Sequence, residues 1–358
     1  MIVKNYTILT INPGSTSTKI SLFRNTEEQQ EKTFEHSREV LNSSQHLWDQ
    51  LEFRLEVVRN FLSNYLPEDG KLHAVVGRGG LLRPVPGGTY EVNDRMLEDA
   101  REGVQGQHAS NLGCAMAKTI ADEYDVPAFI VDPVSTDETK PVAKISGNPH
   151  IERRSLSHAL NIHFVARQFA RETEKPLNDS ALIIAHLGGG FSIAAVEAGK
   201  IIDVNDANNE GPFSTARSGS LPVTSLAEWI IDRNYSKKEI LTELLKNSGW
   251  AGYLGTTDGK EVDRRLDEGD HDAKHITEAM AYQVAKEIAA MASVLEGRTQ
   301  RIILTGGLAK FELLCDLIAH RVEWIAPVLI LPGEFEMHAM AEGAHRVLTG
   351  GEPALEYE

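Results

Sequence analysis

Apolar positions cluster into short runs that flank small-residue turns, and into longer stripes at helical spacing. Residues Tyr6 to Phe23 read YTILTINPGSTSTKISLF. An apolar run, Ile8 to Ile11, enters the turn Asn12-Pro13-Gly14, and a second run, Ile20 to Phe23, leaves it after Ser15, Thr16, Ser17, Thr18 and Lys19. Strand, turn, strand predicts a hairpin. Residues Ala181 to Val196, ALIIAHLGGGFSIAAV, repeat the plan around His186-Leu187-Gly188-Gly189-Gly190. Successive glycines let a backbone approach a ligand closely, and hydroxyls, amides and an ammonium suit phosphate. Either turn alone also reads as an ordinary hairpin loop. Together, about half a chain apart, they predict two similar domains facing a cleft.

Other runs fill in an α/β pattern. A polar stretch, Glu27 to Gln45, predicts edge strands and a loop. Leu47, Leu51, Leu55, Val58 and Leu62 mark a helix over Leu47 to Leu66, stopped by Pro67-Glu68-Asp69-Gly70. A strand at Leu72 to Val76 feeds Gly77-Arg78-Gly79-Gly80. Helices are predicted over Asn93 to Glu102 and Leu112 to Tyr124, and a strand over Val126 to Val131. The loop Lys140 to Asn148 sets the domain boundary near residue 150. Beyond it a helix begins around Ser155 to Ser157, ahead of the second hairpin. Helices follow at Thr224 to Asn234, Lys237 to Asn247 and Lys274 to Glu296. A strand, Arg301 to Thr305, ends in Gly306-Gly307, and a helix (Phe311 to Val322), a strand (Val328 to Leu331) and a last helix ending near Leu348 complete the pattern.

Composition narrows the function classes. A chain of 358 residues is long enough for two cores. Its formal charge of −16 (36 basic against 52 acidic side chains) argues against nucleic acid and acidic membranes as partners. Such a chain must concentrate its cations to bind phosphate. Two cysteines, Cys114 and Cys315, sit in apolar helical contexts, which predicts buried thiols rather than a disulfide framework or a zinc site. No leader peptide or membrane-length apolar run is read, so a cytoplasmic location is expected. The segment Gly255 to Lys260, GTTDGK, has the wrong spacing for a Walker loop and carries Glu261 where a hydroxyl should stand.

The candidate chemistry therefore falls on isolated residues. Arg78, flanked by glycines, ends a strand, where α/β proteins place ligand contacts; it also reads as a surface arginine. Asp132 ends another strand as a metal or catalytic candidate, or as a turn cap. Arg217 is a lone cation in the loop PFSTARSGSLP. His108 lies just before a helix, where a cap or a satisfied loop histidine is the plainer reading, and His158 lies in the first turns of another, where the helix dipole disfavours a cation. Leu81, Leu82 and Val85 either line a small hydrophobic pocket or pack on the core.

Taken in order, INPGSTSTK, HASNLG, Asp132-Pro133, RRSLSH, HLGGG, ARSG and LTGGLAK resemble the acetokinase family, of the actin-like ATPase superfamily. The stretch GRGGLLRPVPGG and the chain length are most similar to its butyrate kinase branch. The resemblance implies two ribonuclease-H-like domains, 1–150 joined by a C-terminal helix of about 334–358, and 151–333. It implies ATP as substrate, Mg²⁺, a short-chain carboxylate and a homodimer or an assembly of dimers. Butanoate with ATP would give butanoyl phosphate and ADP; acetate, propionate or isobutyrate are alternatives, and a sugar kinase or a nucleotide-switched binding module are more distant ones.

Carried over, Asn12, Ser15, Ser17 and Lys19 match the first phosphate turn, and His186 with Gly188, Gly189 and Gly190 the second. Gly306 and Gly307 match the adenosine loop, His108 an acyl-site histidine, and His158 the histidine of R-R-x-x-x-H. Asp132 and Glu336 match metal-linked carboxylates, and Arg217 the catalytic arginine. Where acetate kinases carry an arginine, this chain has Val75, and Arg78 stands three residues later. The implied mechanism is in-line attack of the carboxylate on the γ-phosphate. Arg217 and Arg78 would neutralise charge while His158 and His186 donate hydrogen bonds.

Overall fold

The computed structural model describes residues 5–44, 46–67 and 70–358. Gln45, Glu68 and Asp69, which fall in the predicted polar stretch and helix stop, lie outside the described residues. The chain divides into two compact units, Met1–Asp137 with Phe335–Glu358, and Glu138–Glu334.

The first unit opens with the hairpin β1 (Thr7–Pro13) and β2 (Ser17–Arg24), followed by β3 (Glu27–Glu35). The polar stretch thus forms one long edge strand and a short helix, α1 (Arg38–Ser43), which Ser37 caps through its side chain. After a 3₁₀ turn come α2 (Leu51–Tyr65), β4 (Ala74–Arg78), a short strand β5 (Thr89–Glu91), α3 (Asp94–Glu102), α4 (Leu112–Tyr124) and β6 (Ala128–Val131). The sheet order is β3-β2-β1-β4-β6-β5, with β1, β4 and β6 parallel.

The second unit contains α5 (Ala159–Glu172), β7 (Ala181–Leu187), β8 (Phe191–Glu197) and β9 (Lys200–Val204). Then come α6 (Val223–Arg233), α7 (Lys237–Lys246), α8 (Gly249–Leu254), α9 (Gly259–Asp267) and α10 (His271–Val294). It ends with β10 (Arg301–Gly306), α11 (Glu312–Val322) and β11 (Val328–Pro332). Its sheet order is β11-β10-β7-β8-β9. Read from the other edge, β9-β8-β7-β10-β11 repeats β3-β2-β1-β4-β6: an antiparallel meander whose first strand is joined by two parallel ones. The final helix, α12 (Glu336–Leu348), returns to the first unit and packs against β1, β4 and β6.

Three boundaries differ from the sequence expectation. The units divide after Asp137 rather than near 150. Glu138 accepts from the Ile201 amide and pairs with His163, and the Lys140 amide donates to the Ile202 carbonyl, so residues 138–150 pack with the second sheet. Helix α5 begins at Ala159, with His158 at its N-cap, because 155–157 run irregularly into the Ser192 contact. Helix α10 starts earlier than Lys274, because Asp270 caps it by accepting from the Asp272 and Ala273 amides.

Each unit has its own core. In the first, Leu9, Ile11, Ile20 and Leu22 face Leu55, Val58 and Leu62 of α2 and Met116, Ile120 and Ala121 of α4. In the second, Ile183, Ala185, Phe191 and Ile193 face Met280, Val284 and Ile288 of α10 and Leu314 and Ile318 of α11. Strand alternation assigns faces. Ile11, Ile20 and Val75 point toward α2 and α4, so Asn12, Lys19 and Arg78 point toward α12.

Helix α4 approaches β4 closely enough that a Cβ on Gly113 would stand 2.2 Å from the Arg78 carbonyl oxygen, which is backbone and cannot swing away. Alanine at a helix position is ordinarily about 1 kcal/mol better than glycine. Gly113→Ala should nevertheless destabilise the protein by about 1–3 kcal/mol through overpacking. Urea unfolding checks it, and an unchanged or raised midpoint would contradict the packing.

Candidate active site

The parallel strands of the first sheet end at one level. Ile11 of β1 pairs with Gly77 of β4, and Arg78 pairs with Val131 of β6, so Asn12, Arg78 and Asp132 stand in a row at their carboxyl ends. The start of α12 meets this row. Glu336 accepts from Asn12 Nδ2 at 2.5 Å through one oxygen, and its other lies 3.3 Å from Arg78 Nε. Arg78 is 4% exposed, and its Nη1 donates to no group among the described residues. Asp132 is fully buried at a φ of 39°, accepting from the Gly88 amide at 2.7 Å. A left-handed aspartate is tolerated but costs energy. Here the reciprocal Asp132 amide to Gly88 carbonyl bond holds it.

The first turn is shorter than expected. Asn12 pairs with Lys19 and Pro13 with Thr18, which closes the hairpin at Gly14 to Thr16. Ser17 and Lys19 are therefore strand residues and not turn residues. Lys19 stands beside Asn12 on the α12 face, half-exposed, with its ammonium 3.7 Å from Glu31. Ser15 and Thr16 form the exposed tip. Beneath the turn, on the opposite face, lies Arg54 of α2, which the sequence reading passed over. It is fully buried and donates to the Gly14 and Ser17 carbonyls and the Thr18 hydroxyl, each at 2.9 Å.

The proline-rich loop after β4 is pinned at successive residues. The Leu81 amide donates to Asn111 Oδ1, the Leu82 carbonyl accepts from Gln105 Nε2, and the Arg83 amide donates to the Tyr357 hydroxyl. Tyr357 in turn donates to Asp99, whose carboxyl the Arg83 guanidinium holds below the usual range. Leu82 belongs to the core, with no exposed surface. As a pocket-lining residue it is corrected, because its side chain is consumed by packing. Leu81 and Val85 are half-buried. His108 is exposed and acts as the cap of a 3₁₀ turn, its Nδ1 accepting from the Ser110 amide.

In the second unit, β7 delivers His186 to the second turn. His186 is buried, its Nδ1 2.9 Å from Asn161 Nδ2, and its ring stacks on that of His158 with centroids 3.9 Å apart and planes 9° apart. His158 Nδ1 lies 2.9 Å from the Ser192 hydroxyl. Asn161 also donates to Thr305 at the end of β10, so α5, β7, β8 and β10 all fix this histidine pair. Arg217 crosses the turn. A Cβ on Gly190 would stand 2.0 Å from Arg217 Nη1, which donates to the Ala207 carbonyl. Ser214 donates to the Gly189 carbonyl and accepts from the Arg217 amide, tying the arginine loop to the glycine turn. Burial pulls the Arg217 pKa down, while the Asp206 charge acts against that pull.

A cavity of about 490 Å³ opens beside this turn. Gly188, Gly189, Gly307 and Glu334 line it together with Asp258, Lys260, Lys310 and Phe311. Its size suits a nucleoside-sized ligand. The GTTDGK segment, rejected as a Walker loop, thus contributes Thr257 to Lys260 to the wall and its Asp258 caps α9. Gly306 lies outside that lining. At a φ of 91° it passes so close to β7 that a Cβ would stand 2.3 Å from the Leu187 carbonyl oxygen. Glu334, also unremarked in the sequence, lies 3.6 Å from the Cβ positions of both Gly188 and Gly307.

A magnesium ion prefers oxygen ligands, keeps several waters, and takes one or two carboxylates plus substrate phosphates. Asp132 and Glu336 are carboxylates of the type that could serve, Asp132 following the end of β6 and Glu336 meeting Asn12 at the end of β1. No cluster of three or more acidic, histidine or cysteine side chains that could hold a metal ion occurs among the described residues.

A sequence profile of the acetokinase family matches residues 141–318. Butyrate kinase 2 of Clostridium acetobutylicum is 47% identical over 354 residues, covering 99% of both chains. Among solved structures, an acetate kinase from Porphyromonas gingivalis superposes with a TM-score of 0.77 at 16% identity, over 96% of this chain and 100% of that one. A propionate kinase from Francisella tularensis does so at 0.75 and 20% identity, over 94% and 98%. At such identities that likeness is one of fold.

The Gly190 contact is with the mobile end of a side chain, not with backbone. Gly190→Ala should therefore cost about 1 kcal/mol, the size of the one Arg217–Ala207 hydrogen bond it displaces, and push Arg217 aside. ATP-dependent turnover should fall at least about tenfold, the size of effect a small misplacement produces. Parallel melting curves and rate assays test this; full turnover would show that the arginine position is immaterial.

Proposed function

The chain belongs to the acetokinase family, and on that premise we propose that it transfers the γ-phosphate of ATP to a short-chain fatty acid, butanoate giving butanoyl phosphate and ADP. The observation that carries the geometric part is Arg78: a buried guanidinium, held by Glu336, whose Nη1 has no acceptor among the described residues. A planar fork of this kind suits a carboxylate.

Both substrates are anions, so the protein's task is positioning and charge neutralisation rather than covalent chemistry. The acid is already ionised at neutral pH and needs no general base. In the first unit, Arg78 and Asn12 orient the carboxylate, with His108 and the half-buried Leu81 and Val85 as further acyl-side contacts. The amides and hydroxyls of Ser15 and Ser17, with Lys19, bind phosphate oxygens. In the second unit, His158 and His186 donate to phosphoryl oxygens through the ring nitrogens turned away from Ser192 and Asn161. Arg217 balances the charge that builds on the transferring group. Gly188 to Gly190 and Gly307 give the nucleotide its close backbone approach, while Gly306 shapes the turn. Asp132 and Glu336 would hold Mg²⁺, which would supply charge neutralisation across the phosphates. No helix among the described residues is long and apolar enough to cross a membrane, and we place the enzyme in the cytoplasm, where ATP is kept.

Each buried methylene is worth about 0.8 kcal/mol. Two more than acetate give butanoate an advantage of roughly tenfold. Hydroxylamine trapping of acyl phosphate, run with ATP, Mg²⁺ and acetate, propionate, butanoate or isobutanoate, measures it directly. Butanoate or isobutanoate should show the highest kcat/KM, and a preference for acetate would defeat the butanoate reading. Arg217→Ala in the same assay should lose about 10³-fold or more, by comparison with arginine fingers.

Self-association belongs to the same reading. Helices α6 and α7 have no buried residue, and Val223, Ile231 and Tyr253 near them are 79%, 75% and 69% exposed. Exposed apolar patches of this kind mark interaction surfaces, and a second copy of this chain is the partner we assign to it. Sedimentation equilibrium should give a dimer or a multiple of it, and Val223→Asp with Ile231→Asp should shift it toward monomer. A monomeric wild-type protein would remove the assignment.

A further inference from the structure

In a chain of net charge −16, a buried cation normally lies against a carboxylate. The half-buried Arg153 shows the ordinary pattern, held between Asp203 and Glu210. Arg54 does not. It is fully buried, and its guanidinium donates to Gln50 Oε1, the Gly14 and Ser17 carbonyls and the Thr18 hydroxyl. Every one of these is neutral. The nearby ring of His36, whose Nε2 lies 2.8 Å from the Thr18 hydroxyl, offers no negative charge. Burial and the Arg54 charge push its pKa down to about 4, so the ring is neutral too. Burial likewise pulls Arg54 itself down to about 10, which leaves it charged at neutral pH.

Buried charges are stabilised by pairing, and a guanidinium with only dipoles around it has its field uncompensated. That field emerges at the first turn. By binding the Gly14 and Ser17 carbonyls from below, Arg54 directs the acceptors of the turn inward. The Gly14 amide is spent on the Ser17 carbonyl. The Ser15 and Thr16 amides, at the exposed tip, donate to no group among the described residues. The result is a small loop whose Gly14 and Ser17 carbonyls are held on a formal positive charge beneath it, with the Ser15 and Thr16 amides left to its exposed tip. Backbone amides so arranged make an anion-binding concavity, and Arg54 adds a charge that water cannot screen from below.

We propose that Arg54 is a positioning residue for phosphate at the first turn, holding the Gly14–Ser17 backbone in its anion-binding form and supplying the buried charge that a bound phosphoryl group neutralises. The proposal rests on the reading of that turn as a phosphate site. It adds a residue which touches no substrate and acts through the turn.

Arg54→Gln keeps hydrogen-bonding capacity and removes the charge; Arg54→Lys keeps the charge and loses the fork. The full-length protein and both variants are melted in increasing inorganic phosphate at constant ionic strength, and KM for ATP and kcat are measured separately. The wild type should gain melting temperature with phosphate. Arg54→Gln should lose most of that gain and show a rise in KM for ATP of about tenfold or more, with Arg54→Lys recovering part of both. Arg54→Gln with a wild-type phosphate response and KM overturns the proposal. Should Arg54→Gln not fold, Arg54→Lys decides: a folded lysine variant without any phosphate response shows that buried charge is not the operative property. A phosphate response in the wild type, lost in Arg54→Gln, stands even where hydroxylamine traps no acyl phosphate, so failure of the kinase reading and failure of this proposal are separable.

Discussion

Mutual repulsion between anions is the constraint on which this molecule turns. The chain itself carries an excess of sixteen acidic charges, and the reaction assigned to it joins a carboxylate to a triphosphate. The fold answers by setting a few guanidinium groups where the chain's own carboxylates quench them only in part, or not at all. Arg54 has neutral partners throughout. Arg78 shares the Glu336 carboxylate with Asn12, so that acid is only partly its own. Arg217 donates to a backbone carbonyl, with Asp206 acting on it from a distance. Some arginines elsewhere are paired in the ordinary manner, as Arg59 is with Glu52 and Glu123.

Placement follows from the repeated strand order. In each unit an antiparallel meander leads to two parallel strands, and the residues at their carboxyl ends fall on one level. Asn12, Arg78 and Asp132 occupy those ends in the first sheet, and His186 and Gly306 in the second. Such ends are where open α/β sheets bind ligands. Close helix packing, through Gly77 against Gly113 in the first unit, leaves the row little freedom.

Much of this was legible. Both hairpins announced themselves because an apolar run, a glycine turn and another apolar run leave few alternatives. The residues that end strands were found for the same reason. Arg54 was missed because an arginine on an amphipathic helix reads as part of its solvated face. Yet it sits three residues after Leu51 and four before Val58, inside the apolar stripe, and that spacing was the available signal. Leu82 was misassigned because an apolar residue beside prolines fits a pocket or a core equally well, and only packing decides. The domain boundary was drawn late because 138–150 has loop composition, while its membership is settled by Glu138 and Lys140 contacts distant in sequence. The short helices α8 and α9 went unread, and with them the place of Asp258 and Lys260 in a cavity wall, since failing one phosphate motif says nothing of where a segment packs.

Helix α12 and the segment that carries Tyr357 complete the first unit from beyond the second. Tyr357 is buried, bonded to Asp99 and to the Arg83 amide, and Asn93 donates to its carbonyl. Residues 138–334 intervene, all of them in the other unit. During synthesis on the ribosome, then, the second unit has its whole sequence available first. The earlier-made sheet must wait, one face uncovered, for a helix translated only after the whole second unit.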